Sequence, residues 1–154
     1  MKKAFQILGI IFAALLVLII GVVGYAAYKG KQLDASSQQY MDAAVPAIVS
    51  NWTESELAAR SAPQLIQATT PEQLAKMFKW FSNGLGPMKK YCGAKGASNV
   101  FISPQQGKTT SARYTACAQF EKGNATIEVA LIQRADTSWA ITGFRVNSPA
   151  LLPP

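Results

Sequence analysis

The chain has 154 residues, of which 49% are hydrophobic and 15% charged, and its 15 basic and 8 acidic side chains leave a net charge of +7. Lys2, Lys3, Lys29 and Lys31 supply +4 with no acid among residues 1–31, so residues 32–154, with 11 basic and 8 acidic groups, carry only +3. That scattered excess is too small for a nucleic-acid footprint, and the absence of histidine removes Ser-His and Cys-His nucleophile systems and zinc-histidine sites.

The first element is an uncharged run over residues 4–28. As a helix it would be ~37 Å long, enough to cross a bilayer core with some tilt. A secretory signal has a shorter apolar stretch, although the small residues of "GYAA" leave cleavage near Ala26 and Ala27 as the alternative. Tyr25 and Tyr28 stand where an interfacial aromatic belt would sit, and the flanking charge favours an amino terminus in the cytoplasm. The expectation is a single-pass anchor with the following domain in the periplasm of a bacterial inner membrane. No cysteine stands directly after the apolar run, which speaks against a lipoprotein. Gly9 and Ala13 have the spacing that lets two spans approach closely.

Beyond the anchor (1–31), residues 32–50 read as a linker running into a helix, with Asp34 as cap and Pro46 as an interruption. An extracytoplasmic domain over 51–148 and a tail over 149–154 complete the chain. Thr53 and Glu56 have capping-box spacing ahead of a short helix at Leu57, and Pro63 opens another turn. "TTPEQLAKMFKWFSNG" is the clearest helix. Thr70 is the cap, Pro71 the first helical position and Gln73 the partner of the box. Leu74, Met77, Phe78 and Phe81 fall on one face, and Asn83 and Gly84 end it.

After Gly84 the period changes to two. A turn at Lys122-Gly123 sets a hairpin that pairs Phe120 with Ala125, Ala118 with Ile127, Ala116 with Val129 and Tyr114 with Leu131 on one apolar face. The other face holds Arg113, Thr115, Cys117 and Gln119 with Thr126, Glu128, Ala130 and Ile132. The helix at 71–83 should cover the apolar face. "NVFIS" and "TTSAR" flank the turn "PQQGK" and extend that face if Val100 opposes Ala112 and Ile102 opposes Thr110. In "WAITGFRVNSP", Gly143 is the expected bulge that switches the phase between Trp139/Ile141 and Phe144/Val146.

Helices followed by antiparallel strands make an α+β domain, with the helices packed on a curved sheet. This order, together with "FEKG" and "WAITGFRVNS", resembles small exported domains of the NTF2-like or cystatin-like kind over roughly residues 50–148. That resemblance implies a superfold hosting ligand pockets, enzymes and membrane-anchored assembly modules, so it does not choose a function.

Cys92 and Cys117 are the only cysteines. An oxidising compartment permits a bridge, and bulges at Gly93 and Gly96 would bring Cys92 level with Cys117. The expectation is a structural disulfide, with two separate thiols or a redox pair as alternatives. "GAKGAS" lacks the spacing of a phosphate-binding loop, and the few carboxylates form no clustered motif, so no cofactor, metal or catalytic set is expected. The expected role is a non-catalytic binding or assembly module that engages the lipid bilayer and an envelope protein or a second copy. Its partner face would include Arg113 and Glu128 with Tyr114 and Trp139. The alternatives are a small-ligand receptor with a pocket between helices and sheet, lined by Trp52, Trp80, Tyr114 and Trp139, and an enzyme using a carboxylate without histidine.

Overall fold

A computed structural model of the chain describes residues 2–152, with side chains from Gln6 onward. Met1, the side chains of Lys2 and Lys3, and Pro153 and Pro154 of the expected tail lie outside it. The chain divides into two compact units, Met1–Leu33 and Asp34–Pro154.

From Lys2 onward the first unit is helical, as the opening part of α1 (Lys2–Val49). Its large apolar side chains from Ile7 to Tyr28 are each 43–70% exposed. Among the described residues α1 is the one helix long and apolar enough to cross a membrane, with a mean hydropathy of 3.1 over an 18-residue stretch. At the polar end of the run Gln32 donates to the Tyr28 hydroxyl at 3.1 Å, and the Lys29 ammonium lies 5.8 Å from the centre of the Tyr25 ring.

The expected break between anchor and helix is absent. Asp34 lies inside α1, and its carboxylate accepts from the backbone N–H and hydroxyl of Ser98 at 2.7 and 2.5 Å. Pro46 does not interrupt α1, which continues through it to Val49, and its carbonyl accepts from Ser50 N–H at 3.0 Å. From Ser37 the helix buries one stripe: Ser37, Met41, Ala44, Val45, Ile48 and Val49. That i, i+4, i+7, i+8 spacing is the amphipathic signature of a helix lying on a core.

Three shorter helices follow. α2 (Glu54–Arg60) begins after Thr53, but no side chain caps it, because Glu56 turns to Arg60 and forms an ion pair one turn on. α3 (Pro63–Ala68) has Pro63 at its first position. α4 (Pro71–Leu85) forms the full Thr70–Gln73 capping box. It runs past Asn83 and Gly84 and ends at Gly86, whose positive φ of 72° suits a residue without a side chain.

The sheet is an antiparallel meander of β1 (Met88–Ser103), β2 (Gly107–Phe120), β3 (Gly123–Gln133) and β4 (Trp139–Asn147), in spatial order β1-β2-β3-β4. The fold is therefore α+β, as expected. In β2, every second residue from Thr110 to Phe120 is buried. The faces are as expected, but both hairpin registers differ from expectation by two residues. Phe120 pairs with Gly123, Ala118 with Ala125, Ala116 with Ile127 and Tyr114 with Val129. The turn residues are Glu121 and Lys122, neither at positive φ, so this is not the glycine-dependent turn that "KG" suggested. Val100 pairs with Thr110 and Ile102 with Lys108. The two-residue shift carries Val100, Phe101 and Ile102 beyond the core, where they are 45%, 66% and 74% exposed. In β4 the phase changes between the pairs Ala130–Gly143 and Leu131–Ile141, which makes Thr142 the extra residue, one position before the expected Gly143.

The helix at 71–85 does not cover the apolar face alone. The Ser37 and Tyr114 hydroxyls lie 2.8 Å apart, and the Trp139 indole donates to the Ser36 hydroxyl at 3.1 Å, so the second half of α1 crosses that face. α4 closes one end through Phe78 and Phe81, which both meet Trp52; Phe78 also meets Phe144, and Trp52 stacks on Phe120.

Candidate functional site

The opposite face of the sheet is largely open to solvent, with Leu65 of α3 at its border. Register places three rows there. Lys95, Thr115, Glu128 and Arg145 stand side by side across β1 to β4. Ala97, Arg113, Ala130 and Gly143 form the next row, and Gly93, Cys117, Thr126 and Asn147 the row on the other side. Small residues beside Arg113 leave room, and an open depression of about 550 Å³ is lined by Lys95, Arg113, Thr115, Glu128 and Arg145, among others. Three cations against one carboxylate make its rim basic. Asn147 donates to Glu128 at 3.1 Å and so orients that carboxylate.

The expected partner-face residues divide. Arg113 and Glu128 line the same depression. Tyr114 also borders it, but its ring is buried and its hydroxyl donates to the Asp34 carbonyl at 3.2 Å. Trp139 is 5% exposed and bonded to Ser36, so it belongs to the core. Lys95 and Arg145 were not expected here. Arg145 was legible, because it alternates with the inward-facing Phe144 and Val146. Lys95 was not, because its facing depends on a bulge.

That bulge lies between the pairs Tyr91–Ala118 and Gly93–Cys117, leaving Cys92 as the extra residue. Gly93 absorbs the kink at a φ of 100°, whereas Gly96 stays in regular pairing with Tyr114. The expected disulfide is absent: Cys92 and Cys117 are both free and exposed. The bulge sets Cys92 beside the pair Gly93–Cys117, and no disulfide joins the two. The hydrogen bond with Cys92 holds the Cys117 thiol above its ordinary pKa, with burial a smaller contribution. We therefore expect Cys117 to alkylate more slowly at neutral pH than an isolated exposed thiol, since only the thiolate attacks. Cys92→Ala should move the pH–rate profile of Cys117 to lower pH, read by mass spectrometry after timed iodoacetamide quenches. An unmoved profile would show that the thiols do not interact.

The outer edge of β1 is engaged by side chains of α1. Gln38 donates to the Ala94 carbonyl at 2.9 Å and Asp34 accepts from Ser98 N–H. One row along, the Tyr91 hydroxyl donates to Asp42 at 2.9 Å; burial first, then that hydrogen bond, raises its pKa. The edge of β4 is met at Ile141 by a bridge to Ser61 and by Ala62 N–H. Both sheet edges are thus partly covered where a foreign strand would add, which leaves the open face as the better docking surface. Among the described residues no three His, Cys, Asp or Glu side chains converge as a metal site.

No family model matches the chain, and no curated protein or solved structure is a match to it. The reading of the site therefore stands on its geometry.

Proposed function

We propose that this chain is a single-pass membrane-anchored module of the bacterial cell envelope, with residues 34–154 in the periplasm, which binds a protein partner and catalyses no reaction. The NTF2-like or cystatin-like resemblance belongs to this proposal as its fold-level counterpart. The observation that carries it is the open, basic depression on the uncovered face of the sheet, where Lys95, Arg113 and Arg145 surround the single carboxylate of Glu128. Its partner is an acidic segment of an envelope protein. Charge complementarity there would govern encounter and register more than total affinity.

The interior supports a partner over the small-ligand reading. Met41, Val45, Ile48, Ala116, Ala118, Ile127 and Leu131 are buried to within 2%, so close-packed side chains occupy the space between α1 and the sheet that a ligand would need.

Crosslinking in intact membranes followed by affinity capture tests the proposal. Wild-type chain should retain a specific partner, and Arg113→Glu with Arg145→Glu should weaken that capture ~10-fold or more, equivalent to ~1.4 kcal/mol. Added salt should weaken the wild-type complex as well, because the contributing charges are exposed. Capture unchanged by the double reversal would move the partner off this face.

A further inference from the structure

Near the tip of the β1–β2 hairpin, just before Ser103 and the polar turn at residues 104–106, three consecutive apolar side chains face solvent. Val100, Phe101 and Ile102 are 45%, 66% and 74% exposed. A strand sends neighbouring side chains to opposite faces, so Val100 and Ile102 lie on one side of the hairpin and Phe101 on the other. A protein partner docking on one face would leave the other side wet. An apolar medium that surrounds the tip accommodates both.

Where the tip lies within its own unit is fixed by Asp34, whose carboxylate binds the backbone and hydroxyl of Ser98. The apolar triplet starts two residues past Ser98, at the end of the unit where the chain enters. Asp34 is only six residues beyond Tyr28, the last residue of the uncharged run, a contour of ~9 Å along a helix. From Ser98 to Phe101 the strand covers ~10 Å. Charge agrees with this position. Residues 98–112 contain no acid, and their one charged residue is Lys108, paired opposite Ile102. A lysine beside exposed apolar groups suits an anionic headgroup layer.

We propose that the Val100–Phe101–Ile102 tip dips into the interfacial layer of the same bilayer that holds the anchor, giving the exported unit a second membrane contact. The inference rests on the membrane-anchor reading above. Because the anchor already holds the unit at the bilayer, the tip meets the interface at the high effective concentration of an intramolecular contact. It would therefore fix how the basic face is presented along the membrane.

The full chain is reconstituted in vesicles of phosphatidylcholine and phosphatidylglycerol, in a Cys92→Ser, Cys117→Ser background. An environment-sensitive fluorophore is attached through Phe101→Cys, Leu16→Cys or Thr126→Cys, in separate samples, and lipid-borne nitroxide serves as quencher. All three positions are exposed, and circular dichroism confirms folding. The expected result is blue-shifted emission at 101 with quenching several-fold stronger than at 126. Quenching at 16 but none above the level of 126 at position 101 overturns the proposal and leaves the anchor intact. Blue-shifted emission at 101 without lipid quenching also overturns it, and assigns the tip to a protein contact. No quenching at 16 removes the anchor reading, and the proposal with it.

Discussion

Trp52→Ala is expected to destabilise the folded unit by ~3–5 kcal/mol, the range for removing a large aromatic from a packed core. Trp52 is 4% exposed and lies within 5.1–6.1 Å, ring centre to ring centre, of Phe120, Phe81 and Phe78. It therefore joins the turn after α1 to both α4 and the end of β2. Its indole N–H donates to the Gly86 carbonyl at 2.8 Å, so the substitution also removes the partner of a buried acceptor. Alanine would not relieve the backbone, because residue 52 sits at a φ of 52°, a conformation that costs an L-residue ~1–2 kcal/mol. Glycine at 52 should accordingly lose less than alanine, by ~1 kcal/mol. Chemical denaturation of the detergent-solubilised chain, followed by near-ultraviolet circular dichroism, measures both. Equal stability of alanine and glycine variants would mean that residue 52 relaxes out of its positive φ.

Local rules of this kind were legible in the sequence where one element suffices to apply them. The capping box of Thr70 and Gln73, the helical stripe ending in Phe81 and the alternation of β2 each depend on a few neighbouring residues. The long apolar helix was legible for the same reason, since hydropathy needs no partner. What failed needed a partner. Asp34 reads as a helix cap until Ser98 is known to lie beside it. The hairpin registers kept their faces and slipped by two, because a shift of two preserves the pleat and only the turn backbone decides between them. "KG" pointed to a positive φ that Gly123 does not adopt.

The candidate site shows the same division. Arg113 and Glu128 follow from alternation on two strands. Their neighbour Lys95 follows only once Cys92 is known to be the bulged residue. That bulge was foreseen at Gly93 from its glycine. The bond it was meant to permit does not form, and it is Gly93, not Cys92, that pairs with Cys117. Trp139 and Tyr114 were ambiguous by type, since large aromatics serve cores and binding faces alike. Their hydrogen bonds to Ser36 and Ser37 decide for the core.

Gly96→Ala should be nearly as damaging as the loss of Trp52, by a different mechanism. Gly96 is not at positive φ, so backbone conformation does not call for glycine here. Space does. A Cβ at residue 96 would stand 2.0 Å from the Arg113 carbonyl oxygen and 2.7 Å from the Tyr114 ring. The first neighbour is backbone in a paired strand and cannot rotate away, so β1 must separate from β2. We expect a loss at or above the ~3 kcal/mol upper end typical of overpacking. Tyr114 is held by its hydrogen bonds to Ser37 and the Asp34 carbonyl, so its ring offers little relief. The effect should also spread along β1, because this strand carries Ser98, Lys95 and the apolar tip. Hydrogen exchange measured by mass spectrometry should therefore show β1 amides losing protection while β3 and β4 keep theirs. A uniform loss across all four strands would mean that the unit unfolds as one body, and that β1 is no weaker than the rest of the sheet.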